Sequence, residues 1–237
     1  MPSHLKILAA LLFIFVGVAT PITNWPAFLL YFLLIFAAAM AAKLSLRTLL
    51  SRAVIEVPFI FFAILLPFFG KGDQVEVGPL NLYLDGIEAA LSIVAKGTLG
   101  VLTAVILSTS TTAREILRGL ERLNLPRMMV QIATFMLRYI NVISDEMERM
   151  KVARESRGFE AKGIQHWKIL ATVAAALFIR SYERGERIHL AMLSRGYAGE
   201  LPQEQRRKIA STQWLTALSL PIAALTIFIT TTLLELS

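Results

Sequence analysis

Long apolar runs separated by short polar connections occupy most of this chain. Five of them approach the roughly 20 residues that a helix needs to cross the hydrocarbon core of a bilayer: residues 5–20, 25–42, 55–69, 86–111 and 212–236. The third run is the shortest and contains Pro58 and Pro67, which predicts a span with a kinked or broken end. The pattern predicts an all-α integral membrane protein with about five transmembrane helices.

The first run has two interpretations. Lys6 is its only charged residue, and small residues lie near Ala19, as they do at the cleavage site of a signal peptide. A retained transmembrane helix is favoured over a signal peptide, because the second run follows almost at once.

The charges of the connections predict the orientation. Lys43, Arg47 and Arg52 follow the second run, the connection 70–85 is net acidic, and most basic residues follow the fourth run. Basic connections stay in the cytoplasm, which leaves the C-terminus outside. The predicted domains are a membrane bundle, a cytoplasmic domain and a last transmembrane helix, over residues 1–111, 112–211 and 212–237.

Two of the charged residues in the predicted spans are candidates for a functional role. Glu56 lies at the start of the third run and Lys96 well inside the fourth. Charge inside a bilayer is costly and often functional. A structural role is an equally good interpretation here, because Glu56 is near a helix end and Lys96 can extend toward the interface or face another helix. Neither residue is predicted to bind a substrate.

The cytoplasmic domain is predicted to contain three helices. Thr112 caps a short amphipathic helix that ends near Asn124. Two longer helices follow, beginning at Pro126 and at Trp167, and each has an apolar first half and a charged second half. The apolar halves have about 13–16 residues, too few to span a membrane. Both helices are therefore predicted to lie against the membrane face.

One twelve-residue sequence closes both long helices. It reads Glu-Arg-Met-Lys-Val-Ala-Arg-Glu-Ser-Arg-Gly-Phe at 148–159 and Glu-Arg-Ile-His-Leu-Ala-Met-Leu-Ser-Arg-Gly-Tyr at 186–197. Glycine after a helix supplies a left-handed cap, and arginine in the last turn suits the helix dipole. A single copy would be an ordinary helix cap, but two copies favour binding of carboxylates on another protein. The predicted binding residues are Ser156, Arg157, Gly158, Ser194, Arg195 and Gly196, supported by Glu148, Arg149, Phe159, Glu186, Arg187 and Tyr197.

Composition narrows the chemistry. Of the 237 residues 56% are hydrophobic and none is cysteine, which excludes an ordinary soluble domain, disulfides and thiolate metal sites. The three histidines lack ligand spacing. The net charge of +7 arises in a segment rich in both signs, which argues against a nucleic-acid partner.

The repeated sequence resembles that of a known family. Residues 153–158 and 191–197 resemble the paired Arg-Gly signatures of the transmembrane T components of energy-coupling factor (ECF) transporters. Residues 178–187, Phe-Ile-Arg-Ser-Tyr-Glu-Arg-Gly-Glu-Arg, resemble the CbiQ group, which serves cobalt uptake. The similarity extends over the whole order of spans and cytoplasmic helices. Serine stands at 156 and 194, where the family commonly has alanine; both residues are small, so close packing is expected to survive.

The resemblance implies a non-catalytic scaffold of an ATP-driven importer of cobalt, with nickel as the alternative. Such a chain crosses the cytoplasmic membrane of a bacterium or archaeon several times. It couples two ABC-type ATPases to a separate membrane subunit that binds the substrate. Arg157 and Arg195 would each dock into one ATPase. The chain has no Gly-x-x-x-x-Gly-Lys-Ser/Thr loop, so ATP is expected on the ATPases and no cofactor on this chain.

Two other function classes compete with this interpretation. A membrane enzyme with its active site at the cytoplasmic face would need converging carboxylates; Asp145, Glu146 and Glu148 are the best candidates, but their spacing distributes them around a charged helix. A self-sufficient permease would form its own translocation path. Purification with or without ATPase partners distinguishes the permease from the scaffold.

Overall fold

The structure is a computed structural model that describes residues 1–69, 74–77, 80–158, 167–199 and 211–236. The described residues form helices and one two-stranded antiparallel hairpin, which confirms the predicted all-α membrane class and adds a short hairpin to it. The elements are α1 (Ser3–Ala19), α2 (Trp25–Ala41), α3 (Leu46–Ala53), a 3-10 turn (Val54–Glu56), α4 (Val57–Phe69), β1 (Gln74–Val77), β2 (Leu80–Tyr83), α5 (Leu84–Ser110), α6 (Ala113–Arg122), α7 (Arg127–Glu155), α8 (Trp167–Leu193) and α9 (Ser211–Leu236).

Three stretches of the described residues are long and apolar enough to cross a membrane: Arg47–Phe69, Leu84–Ser110 and Ser211–Leu233. Helices α1 and α2 are apolar but shorter, with 17 residues each. At 1.5 Å per residue they are about 26 Å long, slightly less than the hydrocarbon core of a bilayer. The five predicted runs thus all form apolar helices, two of them short.

The chain forms two compact units. Unit 1 contains Met1–Leu123 and Lys208–Ser237, and unit 2 contains Asn124–Arg207. Helix α6 belongs to unit 1 because it packs closely on α1: a Cβ added to Gly119 would lie 2.7 Å from Ile7 Cδ1. The predicted division into 1–111, 112–211 and 212–237 was based on which residues lie in the membrane and which in the cytoplasm. The two units are defined by packing instead, so the predicted domains stay a prediction.

The core of unit 1 surrounds the Tyr31 side chain of α2, which is fully buried. Its ring makes edge contacts with Phe13 and Phe28, each with centroids 6.0 Å apart. Its hydroxyl lies 3.0 Å from Thr20 Oγ1 and donates to the Ala224 carbonyl at 3.5 Å. Because a buried hydroxyl without partners costs free energy, these bonds fix α1, α2 and α9 around one tyrosine.

The third apolar run breaks at the 3-10 turn and not at a proline. Pro58 lies in the first turn of α4, where a proline costs no helical hydrogen bond. Glu56 closes the turn and is buried; its carboxylate accepts the Thr98 hydroxyl at 2.8 Å and covers Gly97, where an added Cβ would lie 2.9 Å from Oε1. Glu56 therefore holds the broken helix against α5.

Lys96 also joins two helices. Its ammonium donates to the Val18 carbonyl near the end of α1 at 2.8 Å. The last carbonyls of a helix have no partner within the helix, so a lysine that reaches them satisfies both groups. Glu56 and Lys96 thus both have structural roles.

Candidate functional site

The two long helices of unit 2 run antiparallel. The Tyr197 hydroxyl, just past the end of α8, donates to Gln131 Oε1 near the start of α7 at 3.3 Å. Farther along α7, Glu146 accepts a hydrogen bond from Arg180, in the middle of α8, at 2.5 Å. Residue numbers rise along α7 while those of its partners fall along α8. The two Ser-Arg-Gly sequences therefore lie at opposite ends of the pair.

The separation of these ends follows from helix geometry. Arg195 lies close to the level of Gln131, because Tyr197 contacts that side chain. Arg157 follows Gln131 on α7, and at 1.5 Å per residue the helix between them is on the order of 40 Å long. The pair thus presents its two arginines about a domain's width apart.

The end of α8 has a complete Schellman motif. Gly196 has φ +82°, and its N–H donates to the Leu193 carbonyl at 3.0 Å. The Tyr197 N–H donates to the Met192 carbonyl, also at 3.0 Å. These are the two bonds that satisfy orphan carbonyls at a left-handed helix end.

The end of α7 has the same geometry as far as the structure describes it. Gly158 has φ +76°, and its N–H donates to the Glu155 carbonyl at 2.9 Å. Phe159, the aromatic residue of this copy, lies outside the described residues. A Cβ added at Gly158 or Gly196 would meet nothing within 4 Å. The backbone conformation, and not a lack of space, requires glycine at both positions.

The serines bond to their own helices. Ser156 Oγ donates to the Ala153 carbonyl and Ser194 Oγ to the Ala191 carbonyl, both at 3.0 Å. Serine hydroxyls commonly bond back in this way within a helix. Serine in place of alanine therefore leaves no polar group without a partner at either end.

The two arginines are exposed. Over the described ranges, neither Arg157 nor Arg195 has a hydrogen bond or an ion pair from its guanidinium. Each can therefore offer all five of its N–H donors to another molecule without breaking an internal contact.

The supporting residues are used differently in the two copies. In the first copy Arg149 donates to Glu146 at 2.7 Å and Glu148 pairs with Lys151 at 3.3 Å. In the second copy Glu186 and Arg187 are exposed and have no ion pair with any residue that the structure describes.

Glu146 links the two helices of unit 2. It accepts hydrogen bonds from Arg149 and from Arg180, and these bonds hold the pKa of its carboxyl below the ordinary value. A carboxylate stabilised in its charged form is a poor general base near neutral pH. Nor do the described residues contain a group of three or more His, Asp and Glu that could hold a metal ion.

A groove of about 400 Å³ lies between α7 and α8. Apolar side chains form most of its lining, and the Glu146–Arg180 pair stands at one end. The prediction of apolar half-helices against the membrane face did not include this groove. The signal was present: Ile132, Phe135, Tyr139 and Ile143 recur at helical spacing on one face of α7.

Several known proteins resemble this chain. It is 34% identical over 122 residues to an uncharacterized protein of Methanocaldococcus jannaschii, covering 52% of this chain and 46% of the relative. It is 28% identical to a putative fused cobalt transport protein CbiMQ of Methanocorpusculum labreanum, covering 86% of this chain and 35% of the relative. The chain thus spans less than half the length of these two relatives.

Two bacterial proteins match this chain over a larger share of their own length. The cobalt transport protein CbiQ of Rhodobacter capsulatus is 26% identical, over 83% of this chain and 80% of that protein. The energy-coupling factor transporter transmembrane protein EcfT of Macrococcus caseolyticus is also 26% identical, over 78% of this chain and 76% of that protein. The model of the CbiQ family, described as cobalt transport protein, matches residues 2–207. Since that match covers most of the sequence, the chain belongs to the CbiQ family.

Proposed function

We propose that this chain is the coupling subunit of an ECF-type importer. It is a non-catalytic scaffold that joins two ABC-type ATPases to a separate membrane subunit that binds the substrate. One observation carries the proposal: the same helix end, with the same exposed arginine, occurs at both ends of one antiparallel helix pair. Two helix ends with the same cap and the same exposed arginine, on the order of 40 Å apart, can each bind one of two similar partner subunits.

Arg157 and Arg195 each dock into one ATPase. Their guanidinium groups make paired hydrogen bonds with carboxylates of the ATPases, a geometry that lysine does not reproduce. The space around Gly158 and Gly196 is open, and the adjacent serines are small, so an ATPase surface can approach the backbone closely. ATP is bound and hydrolysed by those partners.

The cargo is cobalt, with nickel as the alternative, and the other membrane subunit binds it. The names of the Rhodobacter and Methanocorpusculum relatives support cobalt. The chain crosses the cytoplasmic membrane several times, with residues 112–211 in the cytosol. The second membrane subunit binds unit 2 at the apolar groove between α7 and α8.

The test is charge reversal at both arginines. Arg157→Glu and Arg195→Glu, singly and together, are expressed with the ATPases and the second membrane subunit. Loss of a desolvated interface arginine commonly weakens association by about 2 kcal/mol, or about 30-fold. Each single variant is therefore expected to retain about one ATPase, and the double variant none, in co-purification and in cobalt-coupled ATP hydrolysis.

The matched control is Arg138→Glu, an exposed arginine of α7 that belongs to neither Ser-Arg-Gly sequence. It makes the same charge change and is expected to leave ATPase binding intact. A double variant that co-purifies with ATPases and takes up cobalt normally contradicts the proposal. Cobalt transport by the chain alone in proteoliposomes would instead identify a self-sufficient permease.

A further inference from the structure

A cavity of about 450 Å³ lies within unit 1, between α1, α2, α5 and α9. Its lining changes character along the helix axes. Lys6 of α1 and Ser110 of α5 line one end, and Phe13 of α1 and Ile35 of α2 line the other. Lys6 and Phe13 are two turns apart on one helix, so the cavity is on the order of 10 Å deep. The polar end is its mouth.

Small side chains create this space. The alanines in the lining are Ala9, Ala10, Ala38, Ala41, Ala42 and Ala217. Protein interiors are close-packed, and atoms that border an empty space lose dispersion contacts. A molecule that fills the cavity therefore stabilises the four helices. Because these helices are the apolar ones of a membrane protein, lipid is the most abundant molecule around them.

The hydroxyl groups in the lining do not call for a polar ligand. Thr103 Oγ1 donates to the Leu99 carbonyl at 2.7 Å, and Thr216 Oγ1 to the Gln213 carbonyl at 3.1 Å. Ser219 Oγ likewise donates within α9, at 3.1 Å. Each hydroxyl is satisfied by its own helix, so the body of the cavity favours an apolar occupant.

The mouth favours an anion. Lys6 Nζ donates to the Ser110 carbonyl at 2.8 Å and to Thr111 Oγ1 at 3.3 Å. An ammonium group has three N–H donors, so one remains for a ligand. The carboxylate near Lys6 is Glu115, which accepts the Thr112 N–H at 2.9 Å and its hydroxyl at 3.0 Å. Glu115 is thus engaged by Thr112.

We propose that this cavity binds one acyl chain of an anionic phospholipid, whose phosphate accepts a hydrogen bond from Lys6. An apolar cavity with the Lys6 ammonium group at its mouth matches a molecule with an apolar chain and an anionic head. The bound lipid fills the space that the alanines leave and joins α1, α2, α5 and α9.

The experiment measures lipid retained by the full chain. The purified protein is incubated in detergent with phosphatidylglycerol or with phosphatidylcholine of the same acyl chains. Excess lipid is removed, and bound lipid is counted by native mass spectrometry. The unchanged protein is expected to retain about one phosphatidylglycerol per chain and at least fivefold less phosphatidylcholine. Equal retention of the two lipids, or retention of neither, overturns the proposal.

Two variants and their controls locate the site. Ala38→Leu fills the cavity and is expected to lower retention of phosphatidylglycerol at least fivefold; Ala37→Leu, on the exposed face of α2, is not. Lys6→Gln is expected to remove the preference for the anionic lipid, while Arg47→Gln leaves that preference unchanged. If Ala38→Leu fails to fold, Lys6→Gln decides alone. Unchanged retention in both site variants overturns the proposal.

A last measurement distinguishes lipid from a partner subunit. The chain has no cysteine, so A41C, at an exposed position of the cavity lining, provides a unique thiol for a photoactivatable cross-linker that does not fill the cavity. In the assembled transporter this label is expected to capture phospholipid. Capture of a segment of a partner subunit in its place would overturn the proposal.

Discussion

The two Ser-Arg-Gly helix ends share their cap but are held in place by different contacts. At the end of α8, Tyr197 packs edge-on against His189, with ring centroids 6.4 Å apart, and reaches Gln131 on α7. The end of α7 is fixed earlier, where Glu146 binds Arg149 and Arg180. In the α8 copy, the residue that contacts the other helix, Tyr197, comes directly after the capping Gly196. In the α7 copy that residue, Glu146, lies about three turns before the capping Gly158.

This difference shows that a repeated sequence need not be held in place by the same contacts in both copies. Arg195 lies two residues from a side chain that contacts the opposite helix, and its position is closely determined. Arg157 lies eleven residues beyond Glu146, at the end of a helix segment that is largely exposed. We expect the same guanidinium to be held more firmly at one docking point than at the other.

Replacing the capping glycines tests whether the caps are equivalent. Gly158→Ala and Gly196→Ala each place a side chain in the left-handed conformation, at a cost of about 1–2 kcal/mol. Amide hydrogen exchange in the last helical turn is expected to accelerate by roughly 5- to 30-fold at either end. Hydrogen–deuterium exchange mass spectrometry measures this rate.

Gly185→Ala is the control for both glycine variants. Gly185 lies inside α8, also has open space around it, and lacks a positive φ. Alanine there is expected to slow exchange, because it favours a helix interior by about 1 kcal/mol over glycine. Equal acceleration in all three variants would mean that the cap conformation is not what requires glycine.

Removing the Tyr197 hydroxyl tests the contact that only α8 has. The Tyr197 hydroxyl shares its proton between Gln131 Oε1 at 3.3 Å and the Gly199 carbonyl at 3.0 Å, so Tyr197→Phe removes both contacts. The change is expected to cost about 1 kcal/mol. Exchange should accelerate roughly fivefold at the end of α8 and the start of α7, and remain unchanged near Gly158. Tyr182→Phe, at an exposed tyrosine of the same helix, is the control. An equal change at both helix ends contradicts the difference proposed between them.

The ion pairs of Glu146 with Arg149 and Arg180 form the contact that fixes α7. Breaking them is expected to have the smallest effect on the helix pair, because both arginines are exposed. The pKa of Glu146 is lower in the folded chain than in the unfolded chain. Its ion pairs therefore stabilise the fold fully at pH values above the unfolded-state pKa, and this stabilisation is lost as the pH falls through the folded-state pKa. Spin labels on α7 and α8 should therefore report a constant distance from pH 7 to 5, and a change only below the ordinary carboxyl pKa of 4.5.

Glu146→Gln is expected to remove that pH dependence and to leave the Tyr197 contact in place. Glu148→Gln is the control, because Glu148 pairs with Lys151 of its own helix and with no α8 residue that the structure describes. A transition near pH 6 in the unchanged protein would assign the contact to another group.

Local signals made much of the fold predictable. Thr112 and Glu115 form the capping box that their spacing predicts, and Gly158 and Gly196 have the positive φ expected of helix caps. These features depend on residues within one turn of each other. The third apolar run was predicted to have a kinked or broken end, and a 3-10 turn lies at its start. What holds that turn could not be predicted, because Thr98, the partner of Glu56, is 42 residues away.

Contacts between distant residues were not predictable in this way. Hydrogen bonds join Gln131 to Tyr197 and Glu146 to Arg180, which are 66 and 34 positions apart. The residue types alone do not indicate which residue each one will contact. The strands Gln74–Val77 and Leu80–Tyr83 lie in a connection predicted only as polar. Their alternation of polar and apolar residues is the signal of a strand, but each strand has only four residues and the signal was missed. The docking roles of the twelve repeat residues stay a prediction until partners are tested.

The antiparallel course of α7 and α8 gives unit 2 the geometry of a lever. With a pivot midway between the two arginines, a rotation of about 10° displaces each by roughly 3.5 Å over an arm of about 20 Å. The two displacements point in opposite directions. Partners that bind the two ends and slide past one another therefore exert a torque on the pair, whereas equal forces along one direction exert none.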